Sequence, residues 1–235
     1  VSSTTPAQHP RRSSASSSAS PSPSAASLTE RRKAETRMEI ARAAAGLFVR
    51  HGLRGTRAED IAQAAGIAPR TFYRYFATKE EAVAPLYAAG AQRWVEAVRE
   101  APAELSLPQA LEHAVRHTLT PGVGVSAASW EWVRTLIRMS EASPALRKVW
   151  AEVCRSSEDT LVEVLGERVP PTTDGDDNVA EGASPQLRFT AAVASAVVRV
   201  AVESWAAGTA PATGPEGPAE LALRNLESLR DFRWG

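Results

Sequence analysis

The chain has 235 residues, 43% of them hydrophobic, a formal net charge of zero and a single cysteine, Cys154. That length and apolar content suit one large or two small globular domains; one cysteine excludes an internal disulfide framework, and with no Cys/His cluster at zinc-site spacing it points to a reducing compartment. The longest weakly polar run, Phe189 to Val198, ends at Arg199, well short of the roughly 20 residues that span a bilayer, so membrane insertion is not expected.

The zero charge is a cancellation. Residues 1–83 carry 13 Lys+Arg against 7 Asp+Glu, leaving 14 against 20 for the remainder. A basic head on an acidic body directs the head toward a polyanion, nucleic acid before a membrane surface.

In chain order, residues 1–27 contain eleven Ser and four Pro, no acidic residue and no large aliphatic beyond Val1. They hold too little apolar surface to offset the entropy of ordering and read as a disordered arm. The Arg-bearing, acid-poor composition is shared with transit peptides, but the amphipathic helical pattern of those is missing. Arg11 and Arg12 can add sequence-independent attraction to phosphates.

Helices follow. Ser27-Leu-Thr-Glu30 fits a capping box, Ile40, Ala44, Leu47 and Phe48 fall at helical spacing, and Gly52 supplies a left-handed stop. Thr56-Arg-Ala-Glu59 predicts a second short helix through Ala65, stopping at Gly66. Ala68-Pro69 starts a third, with Pro at the first helical position, where its missing N–H costs nothing. Thr78-Lys-Glu-Glu81 predicts a fourth helix running toward Arg99. Longer helices are expected at about 108–119, 129–141, 144–168, 185–207 and 217–233, and no segment alternates with period two, so the fold class is all-α. Between Val169 and Ser184 lies a long acidic loop. There Asp174, Asp176 and Asn178 imitate the start of a calcium loop, but Val179 and Pro185 stand where Gly and Glu belong.

The second and third helices, joined by a Gly-containing turn, form a helix-turn-helix whose second member can enter a major groove. Its sequence, TFYRYF, sorts by angle. At about 100° per residue Phe76 lies some 40° from Phe72, so these two share the core face, while Arg70, Thr71, Arg74 and Tyr75 spread over the opposite side and Tyr73 lies between. Tyr hydroxyls and a helix-terminal Lys suit phosphates, and Arg can chelate the O6 and N7 of guanine.

The stretch GLRGTRAEDIAQAAGIAPRTFYRYFATKEE, preceded by Leu47-Phe48 and followed by an amphipathic helix, resembles the N-terminal domain of TetR-family transcriptional regulators over about residues 30–85. The resemblance implies a three-helix DNA-binding domain at 28–78 and a helical ligand-binding and dimerisation domain at 79–235. It places Thr56, Arg57, Pro69, Arg70, Thr71, Tyr73, Tyr75 and Lys79 at DNA-facing positions. Of these it assigns Tyr73, Tyr75 and Lys79 to phosphates, and makes Arg70 and Thr71 the candidates for base edges. The chain departs from the family's usual Ser or Thr at Arg57 and Ala68; a missing hydroxyl cap at Ala68 costs about 1 kcal/mol.

For the body, the resemblance implies a homodimer through its last two helices, 185–207 and 217–233. The first is apolar round most of its circumference; the second carries Leu223, Leu226, Leu229 and Phe232 at spacings of three. The helix after Ser129 gathers Glu131, Arg134, Arg138 and Glu141 in one charged stripe. Its apolar side, with Trp132, Leu136 and Met139, can wall a cavity together with Trp94, Val98, Leu111 and Val115. The segment from Arg134 to Arg168 also resembles the body of a subgroup that accepts acyl-CoA-like ligands. His113 and His117 lie four apart, but on the side of their helix away from Leu111 and Val115, as a solvated polar face would.

No catalytic or nucleotide-binding motif is present, so neither enzymatic activity nor a cofactor is expected. The resemblance therefore implies a cytoplasmic, sequence-specific regulator: a repressor released from a pseudo-palindromic operator by a small hydrophobic ligand. The alternative is a ligand-independent DNA-organising protein, whose DNA affinity no small molecule changes.

Overall fold

The computed structural model describes residues 23–123, 127–168, 184–231 and 234. The acidic loop with Asp174, Asp176 and Asn178, the arm before residue 23 and Phe232 lie outside the described residues. Among those described there are helices and turns without a β-sheet. They comprise α1 (Pro23–His51), α2 (Ala58–Ala64), α3 (Pro69–Tyr75), α4 (Ala84–Glu100), α5 (Leu107–Leu119), α6 (Ala127–Ala142), α7 (Pro144–Arg168), α8 (Pro185–Ala207) and α9 (Pro218–Glu227). Two compact units divide the chain at Glu35. In the first, the described residues are helical and those from 28 to 35 are exposed. The second, from Thr36 to Gly235, holds one continuous core, so the expected boundary near residue 78 does not separate two hydrophobic interiors.

Several boundaries differ from those expected. α1 begins at Pro23, so residues 23–27 belong to a helix and the box at Ser27 does not open it. Gly52 and Gly66 do adopt the left-handed conformation, at φ 73° and 68°. Gly66 completes a Schellman stop in which the Ile67 N–H reaches the Ala62 carbonyl at 2.9 Å. The cap of α2 is Arg57, not Thr56: the Asp60 carboxylate accepts the Arg57 backbone N–H at 2.8 Å. The Thr78 box opens a single 3-10 turn, Glu81–Val83, before α4 starts at Ala84. Pro85 is the reason, since within a longer α-helix its ring would clash with the carbonyl four residues back. α9 ends at Glu227, six residues before the expected end.

The body helices run close to their expected bounds. α4 packs on α5 and α7, α8 on α7 and α9, and α6 on α7 and α8. α8 is long and apolar enough to cross a membrane by length and composition, but its buried residues, among them Ala194, Ala201 and Trp205, face neighbouring helices. Cys154 on α7 is half-buried, and burial pushes its thiol up to about 12, with Arg199 opposing and Glu203 and Glu158 adding to the rise.

In the charged stripe of α6, Glu131, Arg138 and Glu141 are exposed and Arg134 is the exception. Arg134 is buried, its guanidinium 4.3 Å from the centroid of Trp205 and bonded to the carbonyls of Gly208 and Ala210. Arg138 donates to Ala206 at 2.5 Å and also to Gly208. Two arginines thus satisfy carbonyls at the end of α8 that the helix itself leaves without partners. Arg134→Ala should lower stability by about 2 kcal/mol in urea unfolding, through the lost cation–π contact and the lost hydrogen bonds to Gly208 and Ala210. Glu131→Ala, which removes an exposed partner 4.0 Å from Arg134, should change it by less than about 0.5 kcal/mol.

Candidate nucleic-acid interface

α3 is seven residues long, too short to hold its shape without packing. Phe72 and Phe76 supply the packing: both are buried, with ring centroids 5.8 Å apart. Arg37 of α1 lies over the Phe76 ring at 4.7 Å and donates to the Tyr75 carbonyl at 3.2 Å, closing the C-terminal end of α3. With the two Phe rings inward, Arg70, Tyr73 and Arg74 are exposed and Thr71 is half-buried. Together with Ala68 they line a shallow, open depression along α3. Pro69 sits exposed at the start of the helix.

Tyr73 is 52% exposed, its edge against the Phe72 ring and its hydroxyl 3.5 Å from Glu59. Arg57, also exposed, approaches the same Glu59 carboxylate at 3.5 Å. Glu59 therefore joins α2 to α3 on the exposed side, a role beyond the capping box that its spacing from Thr56 implies. Tyr75 is half-buried, with the Arg74 guanidinium over its ring at 5.5 Å. Arg74, whose helical angle allows either water or phosphate, thus rests on its neighbour.

Two of the expected DNA-facing residues also have structural partners. Thr56 is buried, its hydroxyl donating to the Gly52 carbonyl at 2.9 Å, because the chain turns inward before α2 begins. Lys79 is half-buried, and its ammonium donates to the carbonyls of Leu53 and Thr56, each at 2.7 Å. These bonds clamp the α1–α2 turn from the residue after Thr78. Arg37 and Glu59 are the supports that sequence pattern does not single out; the signal for Arg37 is its place one turn before Ile40, at the edge of the core face of α1.

Most of the expected ligand wall lies together in the core, and Trp132 stands apart from it. Val98, Leu111 and Val115 are fully buried and Trp94 and Leu136 nearly so, all five within the one continuous core. Met139 is half-buried. Trp132 is 45% exposed and lies outside that core, with its Cη2 3.7 Å from where a Cβ on Gly46 of α1 would sit. His113 and His117 stack with centroids 6.5 Å apart on the exposed side of α5, and no group of three or more His, Cys, Asp or Glu among the described residues is placed to hold a metal ion.

The family described as "Bacterial regulatory proteins, tetR family" matches residues 40–84, the stretch that contains this depression together with Glu59 and Lys79. The HTH-type transcriptional regulator TcmR of Streptomyces glaucescens is 30% identical over 188 residues, covering 78% of each chain. The chain belongs to the TetR family. Among solved structures it is similar to FadR of Thermus thermophilus, a TetR-family transcriptional repressor in complex with lauroyl-CoA, with a TM-score of 0.50 and 25% identity over 82% of this chain and 92% of that one. As a TetR-family member it is a transcriptional regulator and not an enzyme. Within the TetR-type head, Lys79 is distinguished from an ordinary surface lysine by its two backbone acceptors. Lys79→Ala should lower stability by about 1–3 kcal/mol in urea unfolding; a lysine serving DNA phosphates alone would leave unfolding unchanged.

Proposed function

We propose that the protein is a homodimeric repressor that binds a pseudo-palindromic operator and is released by a small hydrophobic ligand in the bacterial cytoplasm. The observation that carries this reading is the outer face of α3, where Arg70, Thr71 and Tyr73 stand over a core pinned by Phe72 and Phe76, with Arg70 and Tyr73 exposed. In this reading Arg70 and Thr71 meet base edges, Tyr73 and Arg57 meet phosphates, and Pro69 lets the helix start approach the groove. Tyr75 contributes its hydroxyl from a half-buried ring. Thr56 and Lys79 act indirectly, by holding the α1–α2 turn.

The dimer reading rests on α8. Phe189, Val193, Ala196 and Val200 recur at spacings of three and four; Phe189 and Val200 are 54% and 43% exposed, a narrow apolar stripe suited to the same stripe on a second copy. α9 contributes less than expected: Leu223, Leu226 and Leu229 line a groove of about 340 Å³ facing Pro108, Glu112 and Arg116 of α5 in the same chain. Two such heads place their α3 helices about 34 Å apart, one helical turn of DNA.

The ligand reading draws on the body core. Trp94 and Thr118, on α4 and α5, are buried with the indole N–H and the hydroxyl unpartnered, each a cost of about 1–3 kcal/mol that an acceptor-bearing apolar ligand could relieve. FadR, whose structure holds lauroyl-CoA, makes an acyl-CoA the first compound to try. To weaken operator binding 100-fold the ligand must favour the released state by about 2.7 kcal/mol.

Selection of bound duplexes from a random DNA pool should return one inverted repeat. Arg70→Ala should then relax preference by about 1–3 kcal/mol at one symmetric position; unchanged specificity removes Arg70 from base reading, and recovery of unrelated sequences removes the operator model. Val200→Glu, which places a charge in the α8 stripe, should give a monomer in sedimentation and lose operator affinity. A monomer that keeps full affinity would exclude the dimer.

A further inference from the structure

The outer side of the helix-turn-helix holds an anion among its cations. On α2 and α3 the acidic residues are Glu59 and Asp60, and they are used differently. Asp60 is half-buried and accepts the Arg57 backbone N–H at 2.8 Å, completing the cap of α2. Glu59 takes no part in that cap. Its carboxylate reaches across to α3, where Oε1 accepts the Tyr73 hydroxyl at 3.5 Å, while Oε2 lies 3.5 Å from the Arg57 guanidinium.

As a brace between the two helices this bridge is weak. Both distances stand at the long end of hydrogen bonding, and the ion pair joins exposed side chains, Arg57 at 77% and Glu59 at 46%. The burial of Phe72 and Phe76 and the Arg37 contacts hold α3 independently of it. Chemically the bridge is more specific: one anion offers one oxygen to a Tyr hydroxyl and the other to an Arg guanidinium. A phosphate diester, with one negative charge spread over two oxygens, takes the same two donors. The carboxylate also repels a phosphate that approaches them. Two unit charges about 4 Å apart in water interact strongly enough to change an equilibrium constant roughly fivefold.

We propose that Glu59 is an internal competitor for DNA phosphate. In the DNA-free head its carboxylate occupies the Tyr73 hydroxyl and the Arg57 guanidinium, and the duplex backbone displaces it, so the head binds every sequence more weakly than its cations alone would allow. The proposal rests on the DNA-binding reading above and adds to it a limit on affinity built into the recognition surface. Because the competition is with the backbone, it acts on operator and random sequence alike.

The test compares the full chain with its E59Q variant on two duplexes, the inverted repeat recovered by selection and a scrambled sequence, across a salt series. Gln keeps the side-chain length and a carbonyl oxygen for Tyr73 while removing the charge. The expected result is tighter binding to both duplexes, roughly fivefold for each head at low salt, with the ratio of the two affinities unchanged. The gain should shrink as salt is raised, and the slope of log affinity against log salt should steepen by about 0.9 for each head. Unchanged affinity and slope in E59Q overturn the proposal and leave the helix-turn-helix reading standing. Weaker binding to both duplexes overturns it as well, because Glu59 would then act as a brace. A change confined to the inverted repeat also overturns it, since the carboxylate would then read a base, as it can at the cytosine amino group. Failure of the unmodified chain to bind either duplex overturns both readings.

Discussion

The burial of Phe72 and Phe76 is the constraint on which the head depends. A helix fixes the angle between successive side chains, so once Phe72 within a seven-residue helix and Phe76 at its C-cap are held in a core, the directions of Arg70, Thr71, Tyr73 and Arg74 are determined. Such a short helix has no rigidity of its own. Its orientation is imposed from outside, by Arg37 at one end and by the turn that Lys79 clamps on the neighbouring side. Reading base edges demands side chains positioned to a fraction of an ångström, and here positively charged groups serve as framework as well as contact.

α6 has a comparable place in the body. Its Trp132 lies against Gly46 of α1, the Leu136 carbonyl accepts the buried Tyr87 hydroxyl of α4 at 2.9 Å, and Arg134 and Arg138 hold the end of α8. Burial also pushes the Tyr87 phenol well above its usual range, so this bond keeps its proton at any physiological pH. α6 therefore bears on the head, on α4 and on the corner between α8 and α9 at once. No part of it can shift without disturbing a contact to one of them.

Much of this is legible in the sequence, and the exceptions have a common cause. Caps, glycine stops and prolines act within a few residues, which is why α2, α3 and most body helices can be read from local pattern, and why spacing alone assigns Phe72 and Phe76 to the core. Thr56 has the form of a cap, yet its hydroxyl turns back to Gly52, because Asp60 is available to take the next N–H. Lys79 has the form of a phosphate ligand, and two carbonyls 26 and 23 residues earlier take two of the three N–H donors of its ammonium. Arg134 sits in a charged stripe along one helix, yet Trp205, 71 positions later, covers it. Each of these side chains is of the right type for the role expected; its partner is remote.

Trp132 and the leucines of α9 make the same point for apolar residues. Helical spacing shows that a stripe exists, but not which neighbour covers it: Leu226 packs toward α5 within the chain, while Val200 on α8 is left to the surface. By itself, then, the sequence determined the helical class, the helix-turn-helix and the division of TFYRYF into inward and outward residues, because these follow from backbone propensity and from angles along a single helix. Only the tertiary structure decided which charges are framework and which are free to meet a partner, and which apolar faces are already satisfied, because both depend on distances between helices far apart in the chain.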